Sequence, residues 1–310
     1  MTTSVRPFRN HMCSMFSQEK GEDPGGSAAR WTVCLVLEIP KPWEHEVRDS
    51  KGFPKGVGEI LDQVPDLRLQ AIHSDEKYSR DDHSRVMLFS MPDKQIDVYE
   101  RQEYLIPNSN LTGLLESLVL DSGTLTSFDG YRVFGDNVRD ILVCTHGSRD
   151  ICCASRGYPI YEALRRDFAT NSMRVWQTSH TGGHRLSPNV IEMPSGRYWG
   201  RVTPEFSERI VSREGDSAGI RSHYRGWAAL ASPEEQVAER EAFVREGWSW
   251  LECPSSVTTE SSGMFTVKSP IASYGVNVVQ VDSVPTNDCL TDDVTGEELQ
   301  YGVTSVSKLP

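Results

Sequence analysis

Residues 139–212 read RDILVCTHGSRDICCASRGYPIYEALRRDFATNSMRVWQTSHTGGHRLSPNVIEMPSGRYWGRVTPEFSERIVS. The segment opens on Arg139 to His146, apolar through Ile141, Leu142 and Val143, as strands covered on both faces are. Tyr158 to Phe168 follows, with Ile160, Leu164 and Phe168 at spacings of four. This predicts a helix with Pro159 in its first turn. MRVWQTSH (173–180) reads as a second strand, and NVIEMP with RYWGRV as a hairpin turning through Pro194-Ser195-Gly196. TPEFSERIVSR then starts a helix, with Thr203 as cap and Pro204 at its first position.

Strand, helix, strand, hairpin, helix is the order of the thioredoxin core. Upstream, WTVCLVLEIP (31–40) suits a doubly buried strand, Gly56 to Val64 a short helix, and Leu67 to His73 and Arg85 to Met91 two strands. Asn110 to Leu120 suits an amphipathic helix, so that the order is β, α, β, β, α. Residues 1–30 read as an irregular lead-in tied down by Met12, Met15 and Phe16. Downstream, SPEEQVAEREAFVREGW carries a capping serine, Ser232, then Pro233 and two glutamates, and so predicts a helix. Alternating segments beyond Cys253 predict three or four short strands that either extend the sheet or form an appended unit. The expected fold is α/β: an N-terminal α/β unit over 1–130, a thioredoxin-like domain over 131–225, and a helix plus β-rich extension over 226–310. No internal repeat at a fixed period stands out.

Composition narrows the function classes. Lys and Arg number 32 against 44 Asp and Glu, a net charge of −12. That balance argues against nucleic acid or an anionic membrane as a partner. No apolar run reaches the roughly 20 residues of a membrane span, and the N-terminus lacks a secretory pattern, so a cytoplasmic protein is expected. Seven cysteines at irregular spacing are no disulfide framework. In a reducing compartment, clustered cysteines read first as metal ligands or redox groups.

Two clusters hold the soft ligands: Cys144, His146, Cys152 and Cys153 around the end of one strand, and His180 and His184 at the end of the next. If the strands are parallel neighbours, both clusters emerge at one sheet edge. Gly182-Gly183 lets the backbone wrap so that both imidazoles face one centre. Two thiolates and two imidazoles suit a tetrahedral zinc or a [2Fe-2S] cluster. Eight residues separate Cys144 from Cys153 and seven separate it from Cys152. That is wider than a zinc knuckle, and suits the larger cofactor. Mixed thiolate and imidazole ligation would raise the potential relative to four thiolates and couple electron to proton uptake.

The strings CTHGSRDICC and SHTGGHR, followed by NVIEMPSGRYWGRVTPE, resemble the sucrase/ferredoxin-like family of thioredoxin-like ferredoxins. GEDPGGSA and LVLEIPKPW upstream are similar to its N-terminal pattern, and the resemblance covers roughly residues 13 to 225. It implies one [2Fe-2S] cluster held by two cysteines and the histidines of an HxxxH motif, here Cys144, Cys153, His180 and His184. A second cysteine nine positions after the first selects Cys153 over Cys152. Cys152, His146, Arg149 and Arg185 are expected around the ligands, with Arg149 and Asp150 as an ion pair that fixes the loop. Cys13, Cys34, Cys253 and Cys289 have no partner at metal-binding spacing and are treated as small hydrophobes. The implied function is electron transfer with a redox partner protein, which the acidic surface would steer. The rivals are a structural zinc module and a thiol oxidoreductase using the adjacent cysteines. No carboxylate pair stands out to support a glycosidase.

Overall fold

The computed structural model describes residues 12–64, 66–92, 98–135, 137–287, 289 and 294–310. A short helix, α1 (Cys13–Glu19), precedes strand β1 (Val33–Glu38). β1 lies between β2 (Leu67–Ile72), to which it is parallel, and β3 (His83–Ser90), to which it is antiparallel. Hydrogen bonds on both edges and helices on the sheet explain its unbroken apolar run. Helix α2 (Val57–Leu61) connects β1 to β2, β4 (Glu100–Pro107) pairs with β3, and α3 (Leu111–Val119) follows.

The same order then recurs. β5 (Arg139–Cys144), α4 (Ile151–Asp167) and β6 (Met173–Thr178) form a parallel pair with its connecting helix. β7 (Val190–Met193) and β8 (Arg197–Trp199) add antiparallel strands on the far side of β5, and α5 (Pro204–Ser212) follows. After α6 (Ile220–His223), β9 (Tyr224–Trp227) closes that edge. The two halves join where Ile72 pairs with Thr178, giving a nine-stranded sheet in the order β4-β3-β1-β2-β6-β5-β7-β8-β9. The sheet is therefore continuous across residue 130. Its halves carry one topology, β2-β1-β3-β4 and β6-β5-β7-β8, which no sequence period announced.

Helix α7 (Pro233–Glu246) leads into a second, four-stranded antiparallel sheet of β10 (Ser256–Ser261), β11 (Met264–Lys268), β12 (Ser273–Asn287) and β13 (Val294–Lys308). The extension is thus an appended sheet, and two of its strands are 15 residues long rather than short. Phe265, Val267 and Val276 pack with Trp199, Phe206 and Phe243 in one core. Trp199 is ordinary core, as is Trp176, whose indole donates to Asp140 at 2.7 Å.

Three readings change locally. Glu100–Pro107 is a strand although four of its eight residues are polar or charged: Glu103 is buried against Arg85 of the adjacent β3 and Arg174 of the more distant β6. Helix α4 begins at Ile151, so Pro159 lies inside it rather than in its first turn. Asp150 caps the true start by accepting from the Cys152 N–H at 2.8 Å, a contact worth about 1 kcal/mol. The lead-in contains α1, and what α1 buries is Cys13, Ser14 and Ser17, while Met15 is 38% exposed.

Two half-buried histidines give the fold a pH dependence. His223 stacks on Phe206 with ring centroids 4.0 Å apart, and its Nδ1 bonds the Gly200 carbonyl at 3.1 Å. Burial holds both His223 and His73 below the ordinary value of 6.5. The folded protein keeps them neutral while the unfolded chain takes up protons near 6.5, so stability is full above that pH and is lost as pH falls. The urea midpoint should be lower at pH 5.5 than at pH 7.5, and His223→Gln should shrink the difference. An equal drop in the variant would remove His223 from the account.

Candidate metal centre

The end of β5 and the head of α4 bring the first two thiols together. Cys144 is the last residue of β5, wholly buried, and the Thr145 N–H bonded to the Thr178 carbonyl at 3.0 Å keeps the ends of β5 and β6 level. The Asp150 cap places Cys152 and Cys153 in the first turn of α4. Successive helical residues diverge by about 100°, so the two thiols face different ways. Cys153 meets Cys144, and Cys152 points to another group. A Cβ on Gly157 would stand 2.0 Å from the Cys144 carbonyl oxygen, so only glycine lets α4 approach β5 this closely.

The end of β6 supplies the imidazole. Cys144 and Cys153 Sγ and a ring nitrogen of His180 lie within 4.8 Å of one another, with Cys153 Sγ 3.7 Å from His180 Nδ1. His146 stands behind His180 and takes no place among the three donors. Its Nδ1 accepts from the His180 backbone N–H at 3.1 Å, so its Nε2 carries the proton and donates to the Glu44 carbonyl at 2.7 Å. The Trp43 ring packs edge-on against it, and burial keeps this imidazole neutral. Lys41 donates to Thr145 Oγ1 at 3.1 Å and Gln177 Oε1 at 2.6 Å, and burial draws its ammonium down to about 8. Residues 41 and 43 come from the LVLEIPKPW string, so that stretch packs directly on the site.

The thiols share their protons unequally. A hydrogen bond with Cys153 holds the Cys144 thiol well below its ordinary range, with His180 adding to it; the same bond pushes Cys153 up.

His184 reaches the site by a turn that needs glycine: Gly182 and Gly183 have φ of +89° and +66°. The Arg225 guanidinium holds the Gly182 carbonyl at 2.9 Å, and the Asn189 amide holds that of Gly183 at 2.8 Å. The His180 and His184 rings are 5.9 Å apart. His184 Nδ1, however, lies 3.0 Å from Asp150 Oδ2 and 3.1 Å from Cys13 Sγ. Of the four expected ligands, three converge and the fourth flanks them.

Around these residues, Arg149 pairs with Glu46 and bonds His45 Nδ1 at 3.0 Å, so it forms no ion pair with Asp150. With His146 and His180 these residues line a cleft of about 410 Å³ that reaches the His180 ring from solvent. Arg185 bonds Glu22 at 2.6 Å and Glu298 at 3.0 Å, tying the GEDP segment to β13.

Cys152 completes a group that sequence spacing did not reveal. Cys13, Asp150, Cys152 and Cys289 place one donor atom each within 4.8 Å of all the others. Cys13 and Cys289 are 276 residues apart, so no local pattern could announce them. The available signal was a cysteine, Cys13, among the few apolar residues of the irregular lead-in.

A family profile described as sucrase/ferredoxin-like matches residues 24–226. Two curated fungal proteins named altered inheritance of mitochondria protein 32 are similar to part of the chain. That of Meyerozyma guilliermondii is 32% identical over 96 residues, 28% of this chain and 34% of the relative. That of Debaryomyces hansenii is 32% identical over 94 residues, with the same shares. The chain spans about a third of the length of the curated relatives it matches. No solved structure matches it.

Proposed function

This chain belongs to the sucrase/ferredoxin-like family, and from that premise and the geometry above we propose that Cys144, Cys153, His180 and His184 hold one [2Fe-2S] cluster for electron transfer. The observation that carries the reading is the meeting of Cys144 and His180, at the ends of paired parallel strands, with the buried Cys153 thiol at the head of α4, and a second imidazole on the Gly-Gly turn beside them. Thiolate and imidazole are both accepted by such clusters, and the donor set fits. The cluster, when bound, supplies a one-electron couple.

The chain's own residues govern the rest. His146 fixes the His180 backbone through a single tautomer, Trp43 packs edge-on against that imidazole, and Cys144 is wholly buried. The His180 ring faces the open cleft, which makes it the route by which an electron reaches a protein redox partner. A proton on the outer nitrogen of either ligand imidazole would link the potential to pH. This role suits a reducing compartment, the cytoplasm. No described helix is long and apolar enough to cross a membrane.

Protein purified without oxygen should be coloured and carry about two irons and two acid-labile sulfides per chain. His180→Cys and His184→Cys should retain a cluster at lower potential. A colourless protein with zinc at Cys144, Cys153 and His180, and no sulfide, would overturn the reading. That outcome has its own support, since three donors within 4.8 Å also suit a single ion.

A further inference from the structure

We propose that Cys13, Cys152 and Cys289, with Asp150 as the fourth donor, form a second metal centre that takes one zinc ion. Cys152 Sγ lies 3.5 Å from Cys13 Sγ and 3.2 Å from Cys289 Sγ. Asp150 Oδ1 is 3.8 Å from Cys13 Sγ. Thiolates around zinc, each about 2.3 Å from the ion, stand roughly 3.8 Å apart. The two sulfur pairs that Cys152 makes need to open by roughly 0.3 and 0.6 Å.

Capping of α4 occupies Asp150 Oδ1 and His184 stands against Oδ2, but neither contact explains why three thiols meet at the same carboxylate. Cys13 and Cys152 are fully buried and Asp150 is 3% exposed, yet the neighbours are polar: Ser14 Oγ is 3.3 Å from Cys152 Sγ. Four other buried carboxylates, Glu103, Asp140, Glu192 and Glu239, face arginine. Among the described residues, Asp150 faces three thiols and His184. A buried charge requires a partner or a metal, and three sulfurs with one oxygen are a donor set for zinc. Zn²⁺ would bind as the thiol protons leave to bulk water. His184 Nδ1, 3.0 Å from Asp150 Oδ2, then bonds the ligand carboxylate, an arrangement common around zinc.

The ion would act as a clip. Helix α1 has seven residues, too few to persist alone, and it buries serines rather than a large apolar face. Cys13 on α1 and Cys289 after β12 are 139 and 137 residues from Cys152 at the head of α4. One zinc would fasten both distant segments to the thioredoxin-like half, directly behind His184.

Zinc, iron and sulfide measured on the full chain, purified under reducing conditions and dialysed against a chelator, test this directly. About one zinc per chain is expected. Cys13→Ser and Cys289→Ser should each lose it at least tenfold, and Cys289→His should keep it. Iron and sulfide should be unchanged in all three. With Co²⁺ in place of zinc, thiolate-to-metal absorption should weaken in both serine variants. A chain that takes up no zinc when Zn²⁺ is added, or holds Cys152 and Cys289 as a disulfide after reducing purification, overturns the centre. So does zinc that ignores Cys13 and Cys289 and follows His180→Ala instead. Loss of iron and sulfide with zinc retained overturns the electron-transfer reading alone.

Discussion

Replacing Gly157 with alanine should both destabilise the protein and abolish metal binding at the proposed Cys144–Cys153 centre. The added Cβ would lie 2.0 Å from the Cys144 carbonyl oxygen and 3.2 Å from its carbonyl carbon, whereas carbon meets a carbonyl oxygen at roughly 3.3 Å even in weak C–H···O contacts. The obstacle is backbone of a central strand, hydrogen-bonded to β6 and β7, so it has no rotamer to escape by. Helix α4 must therefore back away by roughly 1 Å, and Cys153, one turn before Gly157, moves with it. We expect a loss of about 3 kcal/mol in urea unfolding and failure to retain metal at Cys144 and Cys153. Gly58→Ala is the control: it sits in α2 with no atom within 4 Å of the new Cβ, and should stabilise by roughly 0.5 kcal/mol. A Gly157→Ala protein with the wild-type midpoint and metal content would show that α4 can slide freely on β5.

That same contact explains what could be read in advance. Cys144 and His180 were legible because an apolar run and a strand-like segment on either side of a period-4 helix put them at two strand ends, which share an edge once the strands are parallel neighbours. Cys153 was chosen over Cys152 only through the spacing of the family that the sequence resembles; the physical reason lies in the fold, since neighbours on a helix turn face different partners and Asp150 sets the turn. His184 was expected beside His180, and its Nδ1 is instead turned to Asp150 and Cys13 because a second group lies behind the Gly-Gly turn. That group draws on residues 13, 152 and 289, which only the folded chain unites. Strand β4 was missed for a related reason: its buried charges mimic a polar loop until their partners on other strands are known.

Those charges set the second large effect. Glu103 on β4 meets Arg85 and Arg101, and also Arg174 on β6 at 2.7 Å; Asp140 on β5 binds Arg174 at 2.8 Å and stands 3.6 Å from Arg101. β4 and β6 are not neighbours in the sheet, so the network bridges its two halves beside the core shared by Val36, Met87, Leu142 and Trp176. Burial draws the guanidiniums of Arg85 and Arg101 down to about 10, still charged at neutral pH. Three buried cations thus depend on two carboxylates. Glu103→Gln preserves the side-chain shape but leaves the three guanidiniums with Asp140, and Arg85 also with the more distant charge of Glu38, and should cost about 3–5 kcal/mol, the range for breaking a buried pair. Adding Arg85→Met should recover part of that loss, because it removes a charge the glutamine no longer balances. Arg174 is six residues from His180 along β6, about 20 Å of extended chain, so folded Glu103→Gln protein should keep wild-type metal content. The halves of the sheet and the metal centre therefore separate experimentally: Gly157→Ala affects both stability and metal, whereas Glu103→Gln affects stability alone. If Glu103→Gln unfolded within about 0.5 kcal/mol of wild type, in the range of ordinary surface substitutions, solvent would have to reach the arginines and the halves would be held together by apolar packing instead.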